Sequence, residues 1–284
     1  MFRFVFCAVV LSGFAANCPD GQPHYRVTVR HIEKGGIGYE DGYTTLEAFL
    51  ASDPSQWSTT PFLDARGHVF DNGKGAANVG IGLRTLWGNR AYGINTYYDY
   101  RNTGRFHSNQ WGAGLETLGK IFDFRINGYL PVGAKTSGLA AATFGRFSGH
   151  HMFVSQKYHS AMKGADAECG FHFGKSKSFD FYAAVGPYYF IGKKDPATWG
   201  GKARISGIFK DTLTLEISDS YDKTFHNQFQ GQIALSFSLG PKSKVKEQER
   251  TCKMARTLNH RMLQPVGRQE IIVIHNAEAS TVAI

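Results

Sequence analysis

Strict two-residue alternation is the feature that most constrains how this chain can fold. In the segment FQGQIALSFSLG, residues 229–240, one face carries Phe, Gly, Ile, Leu, Phe and Leu, and the other carries Gln, Gln, Ala, Ser and Ser. Side chains of a β-strand point alternately to opposite faces, so the segment predicts a strand with one apolar and one polar face. Either a protein core or lipid must cover the apolar face.

The same alternation recurs along the chain and predicts about twelve strands of about ten residues each. Clear examples are ANVGIGLRT, FDFRINGYL, ADAECGFHF and TLTLEIS. The predicted strands are 25–33, 43–51, 62–71, 76–87, 90–101, 107–118, 121–132, 158–174, 178–191, 200–210, 212–223 and 228–239.

Tight and long connections alternate between these strands. The tight ones are 87–90, 118–121, 174–178 and 209–212, and the longer or more polar ones are 71–76, 101–109, 133–157 and 192–199. In an up-and-down sheet this order puts all tight turns at one end and the long loops at the other. Outer-membrane barrels have this asymmetry, whereas a soluble sandwich has no reason for it.

The polar faces of the predicted strands carry charges of both signs among small residues. The charged residues predicted to face a lumen are Arg84, Glu116, Asp123, Arg125, Asp166, Glu168, Lys202, Arg204 and Glu216. Aromatic residues near the strand ends suit the interfacial girdles of a membrane barrel, and they also suit a protein core. They are Trp87, Tyr92, Tyr98, Tyr100, Trp111, Tyr129, Tyr188, Tyr189, Phe190 and Trp199. We predict an all-β fold, a transmembrane antiparallel up-and-down β-barrel over residues 17–240.

The first 16 residues have the pattern of a signal peptide. Arg3 is followed by an apolar run over 4–11 and then by small residues. This run is too short to span a bilayer as a helix, and no other stretch reaches 18 apolar residues, so any membrane insertion must use strands. We therefore expect export to the outer membrane.

The cysteines predict neither a disulfide framework nor a zinc site. Cys7 would leave with the signal peptide, and Cys18, Cys169 and Cys252 are odd in number and far apart. The alternation in ADAECGFHF puts Cys169 on the apolar face, so we expect it to face lipid and not to act as a nucleophile.

The alternation stops at Gly240, and residues 241–284 are predicted to form a linker helix and an extended tail. Residues 242–263 are charged and contain no Gly or Pro, which permits a helix. Residues 241–268 hold eight basic residues against two acidic ones, so most of the formal net charge of +9 lies in this one segment. The rest of the chain does not form a basic face, and nucleic acid is not expected as a partner. The run EIIVIH at 270–275 is predicted to be extended.

Four longer segments carry recognisable motifs. They are FLDARGHVFDNGKGAANVGIGLRTL, GINTYYDYRNTGRFHSNQWGAGLETLGKIFDFRINGYLP, KGADAECGFHF and LNHRMLQPVGRQEIIVI. Together, over roughly 25–276, they resemble the β-domain of inverse autotransporters, the intimin and invasin group. The resemblance implies a twelve-stranded outer-membrane barrel with both of its ends in the periplasm. It also implies contact with outer-membrane lipid, and with the barrel assembly machinery and periplasmic chaperones.

The same resemblance implies that the linker re-enters the pore as a helix and that an extended segment leads outward. The linker residues expected in the pore are Arg250, Arg256, Arg261, Pro265 and Arg268. That family displays adhesive domains after the linker, whereas this sequence ends at Ile284. We therefore expect a translocator that displays a short C-terminal segment and lacks a passenger adhesin. A porin-like channel with a charged lumen and a soluble periplasmic β-protein are the alternatives, and no surface ligand is predicted.

No catalytic or cofactor-binding constellation stands out. His150, His151 and His159 have no Cys or carboxylate at ligand spacing, and Glu168 and His172 are about 13 Å apart along a strand, too far for an acid–base pair. Neither a G-x-S-x-G motif nor a phosphate-binding or dinucleotide-binding glycine motif is present. We expect no enzyme activity, no cofactor and no metal site.

Overall fold

The computed structural model describes residues 24–54, 59–104, 107–133, 136–138, 143–148, 151–174, 178–192, 197–239 and 258–283. The predicted signal peptide and the predicted pore residues Arg250 and Arg256 lie outside the described residues. Most of the predicted linker helix, up to residue 257, also lies outside them.

The described part of the chain forms sixteen strands and one short helix, α1, over 258–262. The strands are β1 His24–Glu33, β2 Tyr43–Ala51, β3 Thr59–Phe70, β4 Gly75–Trp87, β5 Arg90–Asn102, β6 His107–Leu118, β7 Phe122–Val132, β8 Thr136–Gly138, β9 Thr143–Ser148, β10 His151–Ala161, β11 Lys163–Phe173, β12 Phe179–Ile191, β13 Thr198–Phe209, β14 Leu213–Asp222, β15 His226–Leu239 and β16 Ile274–Ala283.

Twelve of these strands, β1–β7 and β11–β15, close into an antiparallel barrel. Each pairs with its neighbour along the chain, except that β7 pairs with β11 across a small separate sheet. β1 closes the barrel by pairing antiparallel with β15, from Tyr25 opposite Leu239 to Glu33 opposite Gly231. The predicted fold class and strand number are therefore confirmed, and most predicted strand boundaries agree within three residues.

The apolar faces of the strands point out of the barrel and the polar faces point in. Ile126 is 59% exposed and its neighbour Asn127 is buried. Ile81, Leu115, Ile205 and many other large apolar side chains form a continuous outward belt in the same way. An exposed apolar surface of this size far exceeds what soluble monomers carry, so lipid is the medium that covers it. Within the described residues, no helix is long and apolar enough to cross a membrane.

The two ends of the barrel differ in their connections. The tight-turn end holds the connections 88–89, 119–121, 174–178 and 210–212, together with the longer 52–58. The loop end holds 34–42, 71–74, 103–106, 133–162, 192–197 and the short 223–225. Left-handed backbone at Gly88, Lys210 and Asp211 makes two of the tight turns possible. The first and last barrel residues, His24 and Leu239, both lie at the tight-turn end.

Two predictions about residues 133–174 are wrong. The stretch 133–157 was expected to be a loop, and it contains β8, β9 and most of β10. The strand expected over 158–174 is two strands, β10 and β11, which break at Met162. Met162 is fully buried and its N–H donates to the carbonyl of Val273, while β10 pairs along its length with β16. Met162 and Lys163 interrupt the alternation at this point, and the predicted single strand ignored that interruption.

The girdle interpretation of the aromatic residues is right for some of them and wrong for three. Six point outward from the barrel: Trp87, Tyr92, Tyr98, Tyr100, Trp111 and Trp199. Tyr129, Tyr188 and Phe190 are buried inside it, where they pack with Met162 and Val273. The alternation explains the difference, because Tyr129 follows the inward Asn127 by two residues. Cys169 is exposed on the outward face, opposite the exposed Phe124 and Val185.

We predict that the two faces of β13 tolerate charge differently. Ile205→Arg puts a charge into the outward belt near the middle of the strand and should lower the free energy of unfolding by roughly 2–4 kcal/mol. Ser206→Arg, one residue along, points into the lumen opposite Glu216 and should be milder. Urea titration of the protein in lipid vesicles, followed by tryptophan fluorescence, measures both. An equal loss from the two variants would show that the strand register is wrong.

Candidate functional site

The described linker, residues 258–273, enters the lumen at the tight-turn end. Its helix α1 buries Leu258 and Met262. Met262 packs against Ala91 and Leu118, which pair with each other beside the 88–89 turn. Pro265 and Gly267 follow, and the chain is extended beyond α1, as expected where proline prevents helix continuation.

Beyond the helix the linker crosses the whole lumen to the loop end. Val266 packs against Phe49, Phe62 and Tyr97 in the interior. The next apolar contacts are those of Ile271 with Ile32, Tyr43, Phe70 and Ala76 near the loop end. Val273 then joins Ile37, Tyr129, Met162, Tyr188 and Phe190 at that end. Strand β16 begins at Ile274 and pairs with β10 outside the barrel wall.

The tail, which was predicted to be extended, forms strand β16 over Ile274–Ala283. β16 runs antiparallel to β10, from Ile274 opposite Ala161 to Ala283 opposite Met152. Of the run predicted to be extended at 270–275, only the last two residues belong to a strand. The preceding residues lie against the inner wall without joining its ladder.

Charged side chains of the linker pair with charged side chains of the barrel wall. Arg268 donates to both carboxylate oxygens of Asp99 at 2.6 and 2.7 Å, and its guanidinium lies 4.3 Å from the Tyr97 ring centroid. Arg261 pairs with Asp123. At Glu270 the linker supplies the carboxylate and the wall supplies the cations. Glu270 pairs with Arg30 and lies 3.4 Å from Arg66.

A glycine in the wall makes room for the Arg268 pair. A Cβ atom at Gly112 would lie 2.4 Å from Nη2 of Arg268, which is closer than real contacts allow. Gly38 has a similar function at the loop end, where its φ of 80° bends the 34–42 connection and a Cβ would lie 2.7 Å from the Ile274 nitrogen. Glycine is thus required at Gly38, where linker backbone approaches closely, and at Gly112 it leaves the space that the end of the Arg268 side chain occupies.

Side chains of the wall also bind the main chain of the linker. Arg84 donates to the carbonyls of Met262 at 2.8 Å and Gln264 at 2.5 Å, and Arg66 donates to that of Val266 at 2.9 Å. Further along, Asn127 donates to Gly267 at 3.3 Å, Asn78 to Glu270 at 2.8 Å and Arg101 to Ile272 at 2.5 Å. Buried carbonyls need partners, and here side chains supply them in place of a strand ladder.

The charged residues predicted to face the lumen lie on the inner side of the barrel wall. Arg84 pairs with Glu116 at 2.7 Å, and Arg125 lies between Asp123 at 3.4 Å and Glu168 at 2.9 Å. Arg204 bridges Glu168 at 2.8 Å and Glu216 at 2.9 Å. Asp166 accepts from Asn127 and Tyr129, and Lys202 lines the same side of the lumen. Arg84 and Asp123 contact the linker directly, whereas Arg204 and Glu216 do not bond to it.

Sequence reasoning missed the wall and linker residues with the most direct mutual contacts. They are Arg30, Arg66, Asn78, Asp99, Arg101 and Glu270. The alternation in β3, β4 and β5 places Arg66, Asn78, Asp99 and Arg101 on the polar face, so a full register assignment of every strand would have found them. The partner of Glu270 could not be predicted in this way, because the linker has no sequence repeat that fixes which wall residue it contacts.

The linker does not fill the lumen evenly. A cavity of about 310 Å³ lies between the linker and the wall and is lined by residues of β1–β3, β7 and β11–β15. Small polar residues, among them Thr28, Ser206, Ser218 and Ser236, line that wall. At the loop end, the apolar cluster of Val273 with Ile37, Met162 and Phe190 lies across the path out of the lumen. Among the described residues, no group of three or more His, Cys, Asp and Glu side chains could hold a metal ion.

Comparison with known proteins agrees with the resemblance seen in the sequence. The family described as inverse autotransporter, β-domain, matches residues 45–143. The resemblance to that family is therefore confirmed, over a shorter range than the 25–276 expected. No curated protein matches the chain significantly.

A solved membrane-protein structure agrees on the fold. A chain from work on the in-meso crystallization of membrane proteins superposes with a TM-score of 0.60 at 14% identity, over 89% of this chain and 100% of that chain. The KdgM porin in complex with disordered oligogalacturonate gives 0.46 at 8% identity, over 76% and 99%. The translocator domain of the autotransporter NalP from Neisseria meningitidis gives 0.32 at 12% identity, over 78% and 90%. The last two TM-scores are below 0.5, so those similarities carry no argument about this chain.

We predict that the buried Arg268–Asp99 pair stabilises the folded protein far more than an exposed pair does. Arg268→Met should lower the free energy of unfolding by roughly 3 kcal/mol, because it leaves a buried carboxylate without its cation. Asn78 and Gln110 still donate to Asp99 in this variant. The loss of unfolding free energy should therefore lie near the low end of the range for broken buried ion pairs. Asp211→Asn is the matched control, since it breaks the exposed His260–Asp211 contact and should cost less than about 1 kcal/mol. Equal costs in urea unfolding would contradict a linker seated in the lumen.

Proposed function

We propose that this protein is an outer-membrane translocator that carries its own C-terminal segment through the barrel and displays it outside the cell. The observation that supports the proposal is the continuous path of the linker. Residues 258–273 run from Met262 at the tight-turn end to Val273 at the loop end, and β16 continues beyond the wall. A chain that enters one end of the barrel and leaves by the other is what a translocator holds after transport.

The direction of transport follows from the orientation of the barrel. Outer-membrane barrels have short periplasmic turns and longer outer loops, so the tight-turn end is the periplasmic end. Both His24 and Leu239 lie at that end, which agrees with a chain delivered from the periplasm. We assign 1–16 to the signal peptide, 17–240 to the barrel and 241–284 to the linker and tail. The barrel assembly machinery and periplasmic chaperones are the proposed assembly partners.

The two alternatives are less well supported. A porin-like channel needs an open lumen, whereas here the linker occupies it and the apolar cluster of Ile37, Met162 and Val273 lies at the loop end. A soluble periplasmic protein would have to expose the whole outward apolar belt to water. We propose neither an enzyme activity nor a ligand for the outer loops.

The proposal is tested by locating the C-terminus in intact cells. An epitope placed after Ile284 should be bound by antibody on intact cells and removed by external protease. An epitope between Gly88 and Asn89, in a tight turn, should be detected only after the outer membrane is permeabilised. An epitope in the 71–74 connection is the positive control for the outer side. Detection of the C-terminal epitope only in permeabilised cells would leave the tail in the periplasm and would favour the channel.

A further inference from the structure

We propose that five wall side chains form a binding track for the main chain of an extended polypeptide, which they recognise through its carbonyl groups and not through its side chains. The five are Arg66, Asn78, Arg84, Arg101 and Asn127. This carbonyl track rests on the proposed function and specifies its substrate class: any extended chain, including one rich in proline.

The track follows one side of the lumen from end to end. Its donors come from β3, β4, β5 and β7, and the carbonyls that they bind are spread over 262–272. At the loop end the backbone N–H of Met162 continues the series by donating to Val273 at 2.9 Å. Bonds to the linker therefore occur along its whole passage, and two of the five donors, Arg66 and Asn127, also line the 310 Å³ cavity.

Arg101 shows most clearly that the track is built for carbonyls. Its side chain is buried, and within the described part of the chain no carboxylate lies within 4.0 Å of it. Nη1 instead donates to the carbonyls of Gly38 at 2.8 Å and Ile272 at 2.5 Å, and the guanidinium lies over the Tyr39 and Phe70 rings. A buried cation without a counter-charge is costly unless other dipoles compensate it. Here backbone carbonyls and aromatic faces are those dipoles.

Arg84 can bind more than one position of a passing chain. Its Nη1 already contacts two carbonyls two residues apart, those of Met262 and Gln264. Its Nη2 is buried and has no hydrogen-bond partner. The guanidinium therefore has a spare donor beside the linker. A chain that advances by two residues would present its next carbonyl to the same group.

The amide groups of the linker contribute little to this recognition. Among the described residues, Gln269 is the only linker residue whose N–H donates to the wall, at 2.8 Å to the Tyr129 hydroxyl. Position 265 is already a proline, which has no N–H. A segment rich in proline keeps all its carbonyls and favours an extended conformation, so the track should accept it.

The test follows transit in the full chain. Three uncharged extensions are placed after Ile284, one rich in Gly and Ser, one in Pro and one in Asn and Thr, each ending in the same epitope. Pulse-chase labelling with external protease measures how fast newly made chains expose the epitope. With the unmodified wall, the rates at which the three extensions expose the epitope should agree within about twofold, because every extension offers the same carbonyls.

Wall variants then separate the carbonyl track from side-chain recognition. Arg101→Met and Asn127→Leu should slow all three extensions by a similar factor, about fivefold or more, because each removes a donor to the passing chain. Arg101→Lys keeps one cationic donor and should restore part of the rate. Arg90→Met, at the rim beside Phe124, should leave the rate unchanged. Heat-modifiable gel migration confirms that each barrel has folded.

Three outcomes would overturn the carbonyl track. The proline-rich extension could stall while the other two are exposed, a wall variant could slow only one of the three extensions, or no wall variant could change the rate of exposure. If no extension reaches the surface when the wall is unmodified, the proposed function is wrong. The carbonyl track is then tested separately, with the purified full chain in detergent. There, Arg101→Met should raise protease cleavage of the linker about fivefold over Arg90→Met, because the linker loses a charge-assisted bond. Equal cleavage in both variants would overturn the track.

Discussion

The antiparallel pair of β1 with β15 closes the barrel, and the rest of the structure depends on that closure. In a hydrocarbon environment every backbone N–H and C=O must be bonded within the protein, and a closed ladder achieves this because it has no edge. The same register, with Arg30 opposite Ala234, fixes which face of every strand turns inward. A shift by one residue would turn Arg30 and its counterparts into lipid. Closure thus creates both the apolar belt and the polar lumen.

The lumen in turn needs the linker. Residues such as Arg66, Arg84 and Asp99 are buried, and each would lose at least one partner if the linker carbonyls and Arg268 were absent. Buried ion pairs contribute little net stability, because desolvation offsets much of the attraction, but they fix position strongly. Charges on both the wall and the linker therefore specify where the linker lies. The apolar contacts of Val266 and Ile271 add the hydrophobic stabilisation that the ion pairs lack.

Periodicity explains why much of the fold could be predicted and why part of it could not. The face of each strand is a local property, so the alternation was enough to put Arg84 and Glu168 in the lumen and Ile126 outside. The partner of a strand is not local. Met162 and Lys163 interrupt the alternation where β10 ends, but nothing in the pattern shows that β10 pairs with β16. The inward direction of Tyr129 and Phe190 followed from register, whereas their packing on Val273 depends on where the linker leaves the barrel. The contacts of Asp99 and Glu270 could not be predicted either, because they also depend on the path of the linker through the barrel.

The C-terminal linker occupies the lumen from one end to the other. Single-channel conductance in planar bilayers tests it most directly, with the full chain compared to a chain that ends at Leu239. Heat-modifiable gel migration establishes that both barrels are folded. We expect the full chain to stay closed, with the apolar cluster around Val273 in place, and the shortened chain to conduct ions steadily. Equal conductance from the two proteins would contradict it, because the linker would then not be what fills the pore.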